Sequence, residues 1–384
     1  MGGDNKLKVK YNSDTLYKIF IFLLILMYML EATAWSTYKE SLLHGLLQFT
    51  ALGVALLCIV KRKYSIKELI RIITLNSVGV FCFVSSGFTG LFMTMLAITL
   101  LPKGALEKTL SFIFREEVCL FILIVFLSVI GVLDNKAMDI NKGSYVANAF
   151  SLGFSHPNML AAQGTSIVFL YLCLNKYKLK FRHLFLSTVG IIGIFIFSRG
   201  RTSLILGLFA IFMIGLSKTK LVCKYVTKWL PYVYIIINCI VAGSMIAYSK
   251  LGHDAPIIQF INDSLFNGRI GLAYRSLLVY PITLFGNAID INLWDKYQYF
   301  SLDNGQVMLI LEYGVIGFLA YFIVIQRTLR ILKEEKEIIL GIIMIVFLIW
   351  SMYEGTMYFI GKNFALLFWG TRNIIYNIKG SENK

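Results

Sequence analysis

The chain has 384 residues, 58% of them hydrophobic and only 15% charged, and 37 Lys plus Arg against 21 Asp plus Glu leave a net charge of +16. A soluble domain carries roughly a quarter charged residues, so this composition excludes an ordinary soluble globule. About a dozen apolar runs, few prolines and no repeated ten-residue alternation of apolar and polar positions exclude an outer-membrane barrel and leave helices as the spanning elements.

In chain order the apolar runs fall at 17–35, 42–60, 69–86, 88–101, 118–133, 158–174, 184–198, 203–217, 229–248, 305–325, 338–353 and 357–374. The expected fold is an all-α polytopic membrane protein of about 12 helices forming one integral membrane domain over 1–384. The third and fourth runs are separated only by Ser85, Ser86 and Gly87 and form a tight hairpin or one broken span. Ala32-Thr33-Ala34 after the first run has the form of a signal-peptidase site, but the run is long enough to be retained as a span. Six cysteines without CxxC spacing read as small core hydrophobes.

Basic residues collect in cytoplasmic loops. With the N-terminus inside, 27 of the 37 Lys and Arg fall on the inner side and 10 on the outer, so both termini are expected in the cytoplasm. The positive charge is then topology, and nucleic acid is dropped as a partner. Two outward segments, 134–157 and 249–304, exceed the usual interhelical connection and are where an external activity is expected.

The four outward arginines lie in this zone or at helix boundaries. Arg199 and Arg201 share the turn Ser198-Arg199-Gly200-Arg201-Thr202, while Arg269 and Arg275 lie six apart, so on one helix at most one of them faces a given site. A guanidinium stays charged and matches two phosphate oxygens at once; the alternative for each is snorkelling to headgroups. Asp303 precedes the run at 305, as an N-cap or as a base. His156, before Pro157, is helix punctuation or a catalytic group. No Walker A, GxGxxG, HExxH or Asp-x-Asp motif is present, which excludes an ATP-driven pump within this chain and leaves no expected metal or other cofactor.

Several pieces are related in order and side: Gly153-Phe154-Ser155-His156-Pro157-Asn158, Ser198–Thr202, Phe266-Asn267-Gly268-Arg269, Leu284-Phe285-Gly286-Asn287 and Asp303–Gly317. Over roughly 145–320 this combination resembles the Wzy polymerase and O-antigen ligase family of bacterial envelope glycosyltransferases. The resemblance implies metal-independent polymerisation of undecaprenyl-diphosphate-linked oligosaccharide repeat units at the outer face of the bacterial cytoplasmic membrane. It also implies a flippase and a chain-length regulator as protein partners beside membrane lipid. Arg199, Arg201 and Arg269, with Arg275 as a further candidate, would bind substrate; Asp303 and His156 would be the catalytic groups. Ligase members commonly place a histidine near this helix start, where this chain has Asp303-Asn304, which favours the polymerase. An O-antigen-ligase-like transfer and a lipid-linked oligosaccharide flippase or other transporter are the alternatives.

Overall fold

The computed structural model describes residues 13–141, 146–290 and 302–373. Both termini, and residues 291–301 of the expected 249–304 loop, lie outside the described residues. The chain is 76% helical. Among the described residues six helical segments are long and apolar enough to cross a membrane: Leu42–Lys61 (α2), Ile66–Ser86 (α3), Pro157–Leu174 (α6), Phe181–Ser198 (α7), Lys220–Leu251, and Gly314–Glu334 (α14). Gly90–Leu100 (α4), Arg201–Gly215 (α8) and Ile338–Trp350 (α15) are shorter apolar helices. Further helices are Ser13–Glu31 (α1), Leu106–Val129 (α5), Pro256–Gln259 (α11), Arg269–Val279 (α12) and Gly305–Glu312 (α13).

Burial sorts the helices into inner and outer sets. On α1, Tyr17, Phe20, Ile21 and Leu24 are buried, and α4 and α15 are buried on nearly every side. A helix apolar all round belongs in the interior. On α2 and α3, by contrast, Leu42, Phe49, Val60 and Val84 are each at least three-quarters exposed. An apolar surface of that extent is costly against water and natural against lipid. Polar ties join α1 and α3 to the buried α4: Tyr17 Oη donates to the Ala97 carbonyl at 2.7 Å, and Asn76 Nδ2 to Thr99 Oγ1 at 3.0 Å.

Local chemistry sets the boundaries. Ser65 and Glu68 form a reciprocal capping box at the start of α3, which ends on Gly87 in the left-handed region. Gly87 and the two residues after it separate α3 from α4, which pack against each other, so of the two arrangements expected the hairpin is present. The expected run at 118–133 is part of α5, which starts at Leu106 and buries Glu116 and Glu117 in its middle; these carboxyls hid the helix from a reading based on apolar runs. The Lys220–Leu251 segment breaks at Pro231 into Lys220–Trp229 (α9) and Val233–Leu251 (α10). On α9, Lys220, Lys224 and Lys228 recur at helical spacing along one face, as on a helix lying at an interface. The last expected run, 357–374, is two stretches of 3-10 turn, Gly355–Tyr358 and Phe364–Asn373.

The two long connections contain structure. In the first, antiparallel strands Ala137–Asn141 (β1) and Val146–Phe150 (β2) pair Ala137 with Phe150. In the second, α11 runs into the π-helical turn Phe260–Leu265 and then α12.

Candidate functional site

His156 is placed by the chain before it. Leu152 and Gly153 take positive φ, and a side chain on Gly153 would meet the Ile124 carbonyl at 2.8 Å. The segment then pairs with the residues after α1: Ala34 N–H donates to the Gly153 carbonyl and Ser155 N–H to the Ala32 carbonyl, both at 2.8 Å. His156 caps α6, its Nδ1 accepting from Asn158 N–H at 3.0 Å, with Pro157 at the first helical position. A neutral imidazole that accepts at Nδ1 carries its proton on Nε2, so the ring presents a donor away from the helix. Burial holds the imidazole below its ordinary pKa of 6.5; Asp303 pulls the other way, while Arg269 and Lys136 add to the lowering. His156 therefore lies within electrostatic range of both Asp303 and Arg269.

Arg269 opens α12 behind a turn in which Asn267 and Gly268 are both left-handed. Buried Asn262 clasps this turn: its carbonyl accepts from Gly268 N–H at 2.8 Å and its side-chain oxygen from Gly271 N–H at 2.9 Å. Phe266 stacks on Tyr353 with ring centroids 5.1 Å apart. The Arg269 guanidinium donates through Nε to the Tyr353 carbonyl at 2.7 Å, and the same nitrogen lies 3.6 Å from Asp303 Oδ2. Both of these contacts are made by Nε and neither by a terminal nitrogen of the guanidinium. Arg275 points elsewhere: it is exposed and acts electrostatically on Tyr248 of α10.

Asp303 is not the helix cap, which removes the first of the two roles open to it. Asn304 caps α13, accepting from Val307 N–H at 3.1 Å and donating to the Met352 carbonyl at 3.2 Å. A cap reaches the amide three residues on, and from the helix start at Gly305 that residue is Asn304. Gly305 N–H donates to the Ser351 carbonyl at 2.8 Å and Gln306 Nε2 to Ser351 Oγ at 3.0 Å, so the start of α13 is bolted to the 351–358 segment. The Asp303 carboxyl is left beside Arg269 with about a third of its side chain exposed.

The Leu284–Asn287 and Glu312–Gly317 pieces brace one another. Val315 N–H donates to the Thr283 carbonyl, Ile316 N–H to the Leu284 carbonyl, and Asn287 N–H to the Leu311 carbonyl. Gly286, at φ +96, has no room for a side chain: a Cβ would lie 1.9 Å from the Glu312 carbonyl oxygen.

Arg199 stands in the expected tight turn with φ +53, half-buried, and its Nε is buried without a hydrogen-bond partner among the described residues. Arg201 is exposed on the first turn of α8. Gly200 between them packs on Ala161, five residues along α6 from His156. The structure sets Arg269 beside Asp303, with His156 in electrostatic range of both, and rests the Arg199–Arg201 turn on α6 at Ala161.

Two participants were not singled out in the sequence. The Tyr353 carbonyl carries no side-chain signal. Lys362, buried with Nζ against Met159 Sδ and within electrostatic range of Glu354 and Glu31, was signalled by being a lone lysine in an apolar run. Among the described residues no three His, Cys, Asp or Glu side chains converge as a metal-binding group. Compared with known proteins, the chain matches no family model, no curated protein and no solved structure.

Proposed function

We propose that the chain polymerises lipid-linked oligosaccharide repeat units, with a glycan on undecaprenyl diphosphate as donor and another lipid-linked repeat unit as acceptor. The single observation that carries this reading is the Arg269–Asp303 pair, a guanidinium gripped by Nε beside a part-exposed carboxyl, with His156 in electrostatic range. The resemblance set out above supplies the substrate class.

In this reading the terminal nitrogens of Arg269 hold the donor's diphosphate, and Arg199 and Arg201 on the adjacent turn add positive charge. Asp303 accepts the proton of the acceptor hydroxyl as its oxygen attacks the anomeric carbon. The bond from that carbon to the phosphate oxygen breaks, and lipid diphosphate departs with the electron pair. His156 serves as a donor through Nε2–H, towards the diphosphate, because its Nδ1 is committed to the helix cap. Fixed donors aimed at developing charge are usually the largest catalytic contribution. The site belongs to the outer face of a bacterial cytoplasmic membrane, on a bundle of about 12 spans with both termini inside.

Purified protein supplied with lipid-diphosphate repeat units alone tests the reading. A ladder of products supports it; product only with a different acceptor identifies a ligase, and movement of substrate across vesicles without a new bond identifies a flippase. The arginines supply the charge stabilisation here, so the ladder is expected to persist in excess chelator. Loss of the ladder, restored by Mg²⁺ or Mn²⁺, would overturn the metal-independent mechanism.

A further inference from the structure

A second cluster of arginines stands at the opposite end of the bundle. Ser85, at the far end of α3, bonds to the Gly286 carbonyl near the site described above, whereas Arg71 lies close to the beginning of that helix. There the Arg71 guanidinium carbon lies 5.7 Å from the ring centroid of buried Trp369, and that of Arg327, from α14, lies 4.9 Å from the same centroid. Arg62 stacks on Tyr64 at 5.4 Å, donates to the Leu100 carbonyl at 3.1 Å and is within electrostatic range of Arg71.

Three guanidinium groups gather here, and among the described residues one carboxylate acts on Arg71. The carboxylate within range of Arg71 is Glu68, which is engaged by Lys103 at 2.6 Å and by the Ser65 amide and hydroxyl. Arg71 Nε is fully buried without a hydrogen-bond partner among the described residues. One aromatic face stabilises a cation but does not cancel the repulsion between two. A snorkelling arginine stretches its head into water, whereas Arg71 and Arg327 fold onto one indole and bury a donor. That arrangement leaves fork-shaped donors for an anion beside the ring.

The surroundings choose the source of the anion. Ile70 and Ile73 flank Arg71 on α3, and Ile323 stands one turn from Arg327 on α14; each is more than half exposed. Apolar side chains beside a basic pocket suit acyl chains below a headgroup. We propose that Arg71 and Arg327, with Arg62 beside them, bind the phosphate headgroup of an anionic lipid in the leaflet opposite the His156–Asp303 site. This site is independent of the polymerase reading, and its test does not use turnover.

The test is thermal unfolding of full-length, delipidated protein titrated with dioctanoyl phosphatidylglycerol, dioctanoyl phosphatidylcholine or inorganic phosphate. Phosphatidylglycerol is expected to raise Tm saturably, with neither of the others doing so at equal concentration. Arg71→Ala/Arg327→Ala should abolish the rise. Arg71→Lys/Arg327→Lys, which keeps the charge and protects the fold, should weaken binding about tenfold, since ammonium lacks the planar fork. An equal rise with inorganic phosphate would overturn the lipid assignment, and one with phosphatidylcholine the anionic preference. No rise in the wild type, or an unchanged titration in the lysine pair, would overturn the site.

Discussion

Asp303 and Asn304 divide two duties that the sequence leaves merged. Asp-Asn-Gly before an apolar run offers two capping side chains, and only the helix start decides between them; Asn304 takes the cap and Asp303 is released to face Arg269. Asp303→Asn therefore leaves the cap intact. If Asp303 is the base, this variant should lose about 10²- to 10⁴-fold in turnover while keeping its melting temperature and its donor affinity. Near-normal polymer from Asp303→Asn would remove the carboxyl from the chemistry. His156 makes a prediction about pH. Its folded-state pKa lies below the ordinary 6.5 because of burial, so between those two values the unfolded chain binds more protons than the folded one. Stability is then undiminished above 6.5 and falls as pH drops from 6.5 towards the depressed value. His156→Asn keeps a capping side chain and removes the titration, so it should lose less Tm than the wild type between pH 7 and 5. Identical losses in both proteins would show that His156 does not titrate in this way.

At the scale of elements, the site depends on segments that meet across long stretches of sequence. The approach of Leu284–Asn287 to the kink between α13 and α14 uses Gly286, where a Cβ would overlap the Glu312 carbonyl oxygen at positive φ. Gly286→Ala should cost at least about 2 kcal/mol from strain and overlap together. Gly252→Ala is the control, because Gly252 also has positive φ but open space around it, and strain alone costs about 1–3 kcal/mol. Urea or thermal unfolding in detergent compares the two; equal losses would mean the close approach carries no energy of its own. The same elements show which features could be read in advance. The His156-Pro157 helix start and the turn around Arg199 were legible because capping, proline and glycine act locally. The grip of the Tyr353 carbonyl on Arg269 was not, because it joins residues 84 apart through a main-chain atom. Nor was the full length of α5, whose Glu116 and Glu117 interrupt an apolar pattern yet are buried by neighbouring helices.

For the whole molecule, orientation follows from charge, and the helices now attach that charge to particular surfaces. α9 is capped by Thr219, whose hydroxyl accepts from Val222 N–H, and presents Lys220, Lys224 and Lys228 along one face. At the other end of α10 the chain passes Asp254 into α11 and α12, which lead to Arg269 and the site. α10 is 19 residues of largely apolar helix, and at 1.5 Å per residue its length is about that of a hydrocarbon core, so positions 219 and 254 should lie on opposite faces of the membrane. Basic residues are retained on the cytoplasmic side, so the α9 end is expected inside and the Asp254 end outside. Single cysteines placed at 219 and 254 in a cysteine-free background test this in intact cells with an impermeant thiol reagent. Labelling is expected at 254 alone, with 219 reacting only after the cells are opened. Labelling at 219 in intact cells would invert the bundle, put the His156–Asp303 site on the cytoplasmic face, and remove the basis for a polymerase acting on lipid-linked glycans outside.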